Sequence, residues 1–230
     1  MKTILITGID KGIGKATALK FLDEGFFVIG TTLFKSADFE HKNLKTFQMD
    51  LGEEESILNC AEEIKNLDNP DFSDGQGKID ILINNAGVML DEDDKILDSE
   101  KLEKTLKINV VGTTTFTENI LEEIKQQGHL IMITSSAGSL NRSEEESHKT
   151  GFYPAYKISK VALNMYVKTL ALRMKDKLSI SAVHPGCVKT DMLCEGEGIS
   201  VEESAQDIFD FAITKAETGQ FWYKSQKLPW

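Results

Sequence analysis

Thr3-Ile-Leu-Ile-Thr-Gly-Ile-Asp-Lys-Gly-Ile-Gly14 opens the chain with a short apolar run that breaks into a glycine-rich turn, and residues 13–24 then carry a helical pattern. A buried strand, a tight turn and a helix in that order make the first half of a strand–helix–strand unit. Glycines at 8, 12 and 14 let backbone come close to a phosphate with no Cβ in the way, and the first amides of the following helix suit a pyrophosphate. Three glycines in a loop arise readily by chance. Their place between a strand and a helix is what gives the G-x-x-x-G-x-G spacing its weight as a dinucleotide-binding variant.

Outward from this stretch, short apolar runs alternate with longer amphipathic ones, the signal for parallel strands joined by crossover helices. The strands expected are Thr3–Thr7, Phe26–Thr31, Leu44–Met49, Ile79–Asn84, Leu130–Thr134 and Ser179–His184, with a seventh at Gln220–Tyr223. Helical patterns lie near 13–24, 53–67, 99–126, 155–176 and 201–216, the last opened by Ser200 with Glu203 placed for a capping box. The strands are nearly continuous in apolar residues, as when helices cover both faces of a sheet. The fold class expected is therefore α/β: a doubly wound parallel sheet of about seven strands, three-layer α/β/α, forming one domain over 1–230. Asp68–Gly77 and Asn141–Thr150 read as inserted loops too short to be domains.

The 230 residues suffice for one sizeable core, and 40% hydrophobic with 27% charged residues is an ordinary globular composition. A formal net charge of −11 repels nucleic acid and anionic lipid, so neither is an expected partner. Acidic runs such as Glu53-Glu-Glu and Glu144-Glu-Glu read as solvated faces. No apolar run reaches the roughly 20 residues that span a bilayer, and the N-terminal stretch does not read as a signal peptide; the expected location is cytoplasmic. Cys60, Cys187 and Cys194 fit neither a disulfide framework nor a zinc site, so reduced thiols are expected and no metal.

In doubly wound sheets ligands bind outside the carboxyl ends of the strands. There the chain carries Asn84-Asn-Ala-Gly87, Thr134-Ser-Ser-Ala-Gly138 and His184-Pro-Gly186, and Tyr156-Lys-Ile-Ser-Lys160 puts a phenol and an ammonium on one helical face. A bare Tyr-x-x-x-Lys is more often a surface pair than a catalytic one. Together with Thr7-Gly-x-x-x-Gly-x-Gly and Asn109, however, these motifs stand in the order of the short-chain dehydrogenase/reductase family, which the whole chain resembles; the resemblance implies a Rossmann fold. His184-Pro-Gly-Cys-Val-Lys-Thr-Asp-Met192 and the tail from Thr218 to Trp230 resemble cytosolic carbonyl reductases and the C-factor-like group.

The resemblance implies a catalytic tetrad. Tyr156 would protonate a carbonyl oxygen as hydride arrives, Lys160 would lower the phenol's pKa and hold the nicotinamide ribose, Ser135 would orient the carbonyl, and Asn109 would anchor a water chain to Lys160. Ser136 and Ser139 are close rivals; counting back from Gly138 favours Ser135. Cofactor contacts are expected from Gly8, Asp10, Lys11, Gly12, Ile13 and Gly14, and from Thr32 at the end of the second strand. Further along come Asp50 and Leu51 on the adenine, Asn85, Ala86 and Gly87 beside the adenosine with Asn84, and Pro185, Gly186, Val188 and Thr190 toward the carboxamide. An acidic residue in place of Thr32 would select the 2′-hydroxyl of NAD(H); Thr32 is uncharged, Lys11 suits a 2′-phosphate and Lys35 could assist, so NADP(H) is favoured over NAD(H).

Bland readings stand beside these: Thr7 could close a turn, Lys11 could be a solvated lysine, Asp50 could cap a helix, and His184 reads as structural. Taken singly they win for Lys35 and Val188, and they lose jointly for Gly8, Gly14, Asn85, Tyr156 and Lys160, which chance would have to place at five element ends. The function expected is NADPH-dependent reduction of a small-molecule ketone, aldehyde or quinone. A nucleotide-sensing protein with little turnover, an NAD-dependent alcohol dehydrogenase and a nucleotide-sugar epimerase or dehydratase are the alternatives; the short stretch after His184 speaks against the last. Residues Val88–Leu97, Ala137–Tyr153 and Met192–Ile199 would shape the substrate pocket. Relatives pair through the helices of Tyr156 and Asn109, and the insertion before the tyrosine leaves homodimer, homotetramer and monomer open.

Overall fold

The computed structural model describes residues 1–34, 37–67, 78–143, 152–190 and 198–230. Its elements run β1 (Thr3–Ile6), α1 (Gly12–Asp23), β2 (Phe27–Thr32), β3 (Leu44–Gln48), α2 (Glu54–Lys65), β4 (Ile79–Asn84), α3 (Ser99–Leu106), a π-helical turn (Lys107–Gly112) and α4 (Thr113–Ile120). Then follow β5 (Ile124–Ile133), a 3-10 turn (Ser136–Gly138), α5 (Pro154–Arg173), β6 (Ser179–His184), α6 (Val201–Ala212), β7 (Gln220–Tyr223) and β8 (Gln226–Leu228). One sheet has the order β3-β2-β1-β4-β5-β6-β7-β8. Its pairs are parallel except β7 with β8. The strand order reverses between β1 and β4, which is where such sheets open a crevice for a ligand.

Alternation along the strands divides the core. Leu5, Ile29, Leu82, Leu130 and Ile180 face Phe116, Leu163 and Val167 of α4 and α5. Their neighbours Ile4, Ile6, Val28, Ile83 and Ile131 face Phe21 of α1 and Ile208 and Phe209 of α6. Successive side chains point to opposite faces, so one apolar strand feeds both layers. Phe21 meets Phe26 and Phe209 edge-on at centroid distances of 5.0 and 4.9 Å. The capping box at α6 is present, Glu203 N donating to Ser200 Oγ at 3.1 Å and Ser200 N to Glu203 Oε2 at 2.9 Å.

Three sequence expectations are corrected. The sheet has eight strands, because a turn at Lys224, with φ +54°, folds Gln226–Leu228 back antiparallel; three largely polar residues on an exposed edge carry no apolar signal. The helix expected over 99–126 is broken by the π turn and gives way to β5 at Ile124. Thr114 and Thr117 donate to the Val110 and Thr113 carbonyls at 2.8 and 2.7 Å, back-bonding that bends helices. Cys187 stands in a disulfide. The chain returns on itself there, Ile199 N donating to Cys187 O at 2.9 Å, a closure that spacing along the sequence does not reveal. Cys60 is free and buried, its thiol pushed up to about 12 by desolvation, and Cys194 lies outside the described residues.

Candidate active site

The glycine loop is tied to the end of β4 before any ligand is considered. Thr7 Oγ1 accepts from Asn85 N at 2.9 Å and Ala86 N at 3.0 Å, and Asn85 Nδ2 donates to Thr7 O and Gly8 O at 3.0 and 3.1 Å. A Cβ at Gly14 would collide with Gly8 O and the Asn85 amide, so only glycine lets α1 start this close to β1. Gly12 differs: at φ +58° a Cβ there would meet only the Thr190 methyl, at 3.7 Å. The loop can therefore be approached closely between Gly12 and Thr190, and the α1 amides follow at once. These residues fit a pyrophosphate. Ile13 packs on the core beneath.

At the other end, four elements converge. Asn109 sits in the π turn, a local widening frequent at functional sites. Its Oδ1 accepts from Val88 N at 2.8 Å, while Nδ2 donates to Val88 O at 2.8 Å and Ser159 Oγ at 3.1 Å. Ser159 Oγ in turn donates to Tyr156 O at 2.7 Å. The Asn109 side chain is thus a clamp on Val88 and α5, with its amide fully engaged. Gly87 lies under it, where a Cβ would stand 3.1 Å from Asn109 Oδ1 and 3.8 Å from Lys160 Nζ.

Lys160 is buried and its Nζ donates to Ile133 O at 3.1 Å. Desolvation pulls the ammonium down to about 8. Its Nζ stands 5.4 Å from the centre of the Tyr156 ring. The Tyr156 phenol is pushed up to about 12, by desolvation above all, with a hydrogen bond from Ser135 working the other way. Burial is the largest contribution to this shift. Ser135 Oγ also accepts from Ala137 N at 3.1 Å. Ser136 turns inward instead, its Oγ 3.4 Å from His184 Nε2, so Ser135 is the serine beside the phenol.

Sequence reasoning missed Asp91. The first residue before α5, Tyr153, has φ +26° and gives the helix no side-chain cap, and Pro154 follows it. Asp91, 1% exposed, supplies the cap from the β4 side: its Oδ2 accepts from Ala155 N, next to Tyr156, at 2.6 Å. Such charge-assisted bonds at a helix start are strong and favour an anion there. No local motif announces a partner 64 residues away in sequence. Ser159 was equally silent, although its place three residues after Tyr156 on one helical face was a usable signal.

The remaining candidates scatter. Thr32 is fully buried and its hydroxyl donates to Phe34 O. Asp10 accepts from Leu33 N. Asp50 Oδ1 accepts from Gly52 N at 2.7 Å, closing the turn into α2, and Leu51 is core. Asn84 points away from the crevice to Thr117 Oγ1 at 2.9 Å. Pro185 O accepts from Ser204 Oγ at 2.8 Å, Gly186 takes φ +95°, and Val188 is buried in a bridge with Ile199. Lys11 is exposed at the loop. Lys35, residues 144–151 and residues 191–197 lie outside the described residues, and with them much of the expected substrate pocket. Among the described residues there is no group of metal-ligating side chains and no helix long and apolar enough to cross a membrane.

The profile of the short chain dehydrogenase family matches residues 2–197. Over 199 residues, 83% of this chain and 75% of the relative, the sequence is 31% identical to a 3-oxoacyl-(acyl-carrier-protein) reductase of Buchnera aphidicola. It is 29% identical to the 1-hydroxy-2-glutathionyl-2-methyl-3-butene dehydrogenase of a Rhodococcus species, with 96% of each covered. The fold is similar to the NADPH-bound carbonyl reductase from chicken fatty liver, at a TM-score of 0.86 and 22% identity over 100% of this chain and 99% of that one. The glycine loop tied to β4, the sheet order and these likenesses agree: the chain belongs to the short-chain dehydrogenase family of oxidoreductases.

Proposed function

We propose that this protein reduces the carbonyl group of a small ketone, aldehyde or quinone to an alcohol, with NADPH as the preferred hydride donor and Tyr156 as the general acid. The observation that carries this reading is geometric: on α5 the Lys160 Nζ stands 5.4 Å from the centre of the Tyr156 ring, with Ser135 hydrogen-bonded to the phenol and Ile133 O holding the ammonium at the end of β5. A protonated phenol in this position serves as the general acid of carbonyl reduction, and its phenolate as the base of the reverse reaction. Bound NADPH supplies the hydride that adds to the carbonyl carbon. Tyr156 Oη gives its proton to the carbonyl oxygen as charge builds there, and Ser135 Oγ donates to the same oxygen and orients it. Protonated Lys160 stabilises the phenolate left behind. Asn109 and Ser159 fix the start of α5 against Val88, so that the phenol meets its substrate without reorganisation.

Gly8, Gly12, Ile13 and Gly14 with the first α1 amides would hold the pyrophosphate, while Asn85, Ala86, Gly87 and Asp50 border the adenosine. Pro185, Gly186, Val188 and Thr190 flank the nicotinamide. Exposed Lys11 is placed to favour a 2′-phosphate, in keeping with the NADPH-bound chicken enzyme. Assembly would follow α5, where Ile158, Met165 and Leu172 form an exposed apolar stripe at seven-residue spacing; sedimentation reads this out. The functional test is oxidation of NADPH and of NADH against a panel of carbonyl compounds. Turnover of at least one, faster with NADPH, is expected; a folded protein that binds NADPH and reduces none of them would overturn the proposal.

A further inference from the structure

One arrangement at the adenosine end of the crevice is used by none of the roles above. Asp10 leaves the glycine loop and crosses to the end of β2. There Oδ1 and Oδ2 each accept from Leu33 N at 3.1 Å, and Oδ1 reaches Phe34 N at 3.5 Å. Successive backbone amides of this kind form a small anion-binding concavity, and here an internal carboxylate fills it. Thr32, the side chain that would otherwise read a ligand at this strand end, is buried with its hydroxyl given to Phe34 O.

In Rossmann sheets the end of the second strand is where the adenosine ribose is read at its 2′ position, an acid accepting from a hydroxyl and a cation accommodating a phosphate. We infer that Asp10 has taken over this reading from β2: its carboxylate accepts from a ribose 2′-hydroxyl and opposes a 2′-phosphate. The inference rests on the nicotinamide-nucleotide reading of the site and sets the size of the preference proposed there. Lys11, next in the loop, pulls the other way. Lys15 adds little, because Asp38 holds its Nζ at 2.6 Å. Among the described residues Lys11 and Lys15 stand beside the carboxylates of Asp10 and Asp38, so the wild-type protein binds both cofactors and favours NADPH only modestly. Removing the Asp10 charge takes away its repulsion of a 2′-phosphate.

Calorimetric titration of the wild type, Asp10→Asn and Asp10→Ala with NADPH, NADH, 2′,5′-ADP and 5′-ADP tests this without turnover. Asparagine keeps an acceptor for the Leu33 amide and removes only the charge; alanine also frees the amides. The expected result is a rise on the order of tenfold in the NADPH-to-NADH affinity ratio in both variants, matched by 2′,5′-ADP against 5′-ADP, the scale of one screened charge contact. Should alanine fail to fold, asparagine alone decides. An unchanged or falling ratio with binding intact overturns the role of Asp10 and leaves the cofactor reading standing. Binding of neither cofactor by the folded wild type overturns both.

Discussion

The catalytic end of the crevice and its adenosine end are held by different kinds of contact. Around Tyr156 the bonds are buried or, for Asn109 to Val88, part-buried: Asn109 to Val88 and Ser159, Lys160 to Ile133, Asp91 to Ala155. They join β4, the π turn, β5 and α5 into one frame. At the end of β2 the polar groups are satisfied by exposed or part-buried bonds: Asp10 by Leu33, Thr32 by Phe34, Lys15 by Asp38. A buried frame fixes the positions of reacting groups, and a surface balance of charges is easily tipped. On the proposed reading, the buried frame sets the reaction, while cofactor choice depends on a few side chains.

Substitutions can break this contrast at either end. The largest effect is expected for Lys160→Met, which removes the buried ammonium and should lower turnover about 1,000-fold, within the range for a proton-transfer group. Its pH dependence is a sharper sign. Because burial lowers Lys160 to about 8, the ammonium is present below that pH and lost above it, so carbonyl reduction should stay level to about pH 8 and fall beyond. The Met variant should lack that falling limb in a pH–kcat profile.

Asp91→Ala comes next. It leaves the Ala155 amide buried without an acceptor, which costs about 1–3 kcal/mol of stability by thermal melting, and it loosens the start of α5. Misplacing the phenol should lower kcat roughly 10- to 100-fold with NADPH affinity intact. Asp91→Asn, which still offers an oxygen to that amide, should recover most of the rate. Equal losses in the two variants would show that charge, and not the cap, is what matters at this position.

The smallest effect is expected for Thr32→Val. Its hydroxyl is spent on Phe34 O, so the NADPH-to-NADH affinity ratio should move within about twofold, as for a change that removes no ligand contact. A large shift would place Thr32 at the ribose and weaken the contrast between the two ends.

Much of the fold was legible because β1, β4 and β6 are apolar runs that can only be strands buried on both faces, and because glycines follow the first of them directly. The break at 107–112 was not, since the pattern of α3 and α4 is helical on both sides of the π turn. In the site, Tyr156, Lys160 and Ser135 lie close in sequence order to recognisable strand ends, and the structure brings them together. Thr32 reads as a ligand contact from its distance past Gly14, but in a strand covered on both faces it is fully buried, with its hydroxyl given to Phe34 O. Asp91 and Asp10 act across 64 and 23 residues, and no spacing rule reaches such pairs.

The measurement that bears most directly on the chemistry is Tyr156→Phe. Phenylalanine keeps the ring packed beside Lys160 and removes only the proton donor, so NADPH should bind with near-wild-type affinity while single-turnover carbonyl reduction drops about 1,000-fold. Near-normal reduction by this variant would remove Tyr156 from the proton transfer and contradict the mechanism proposed here.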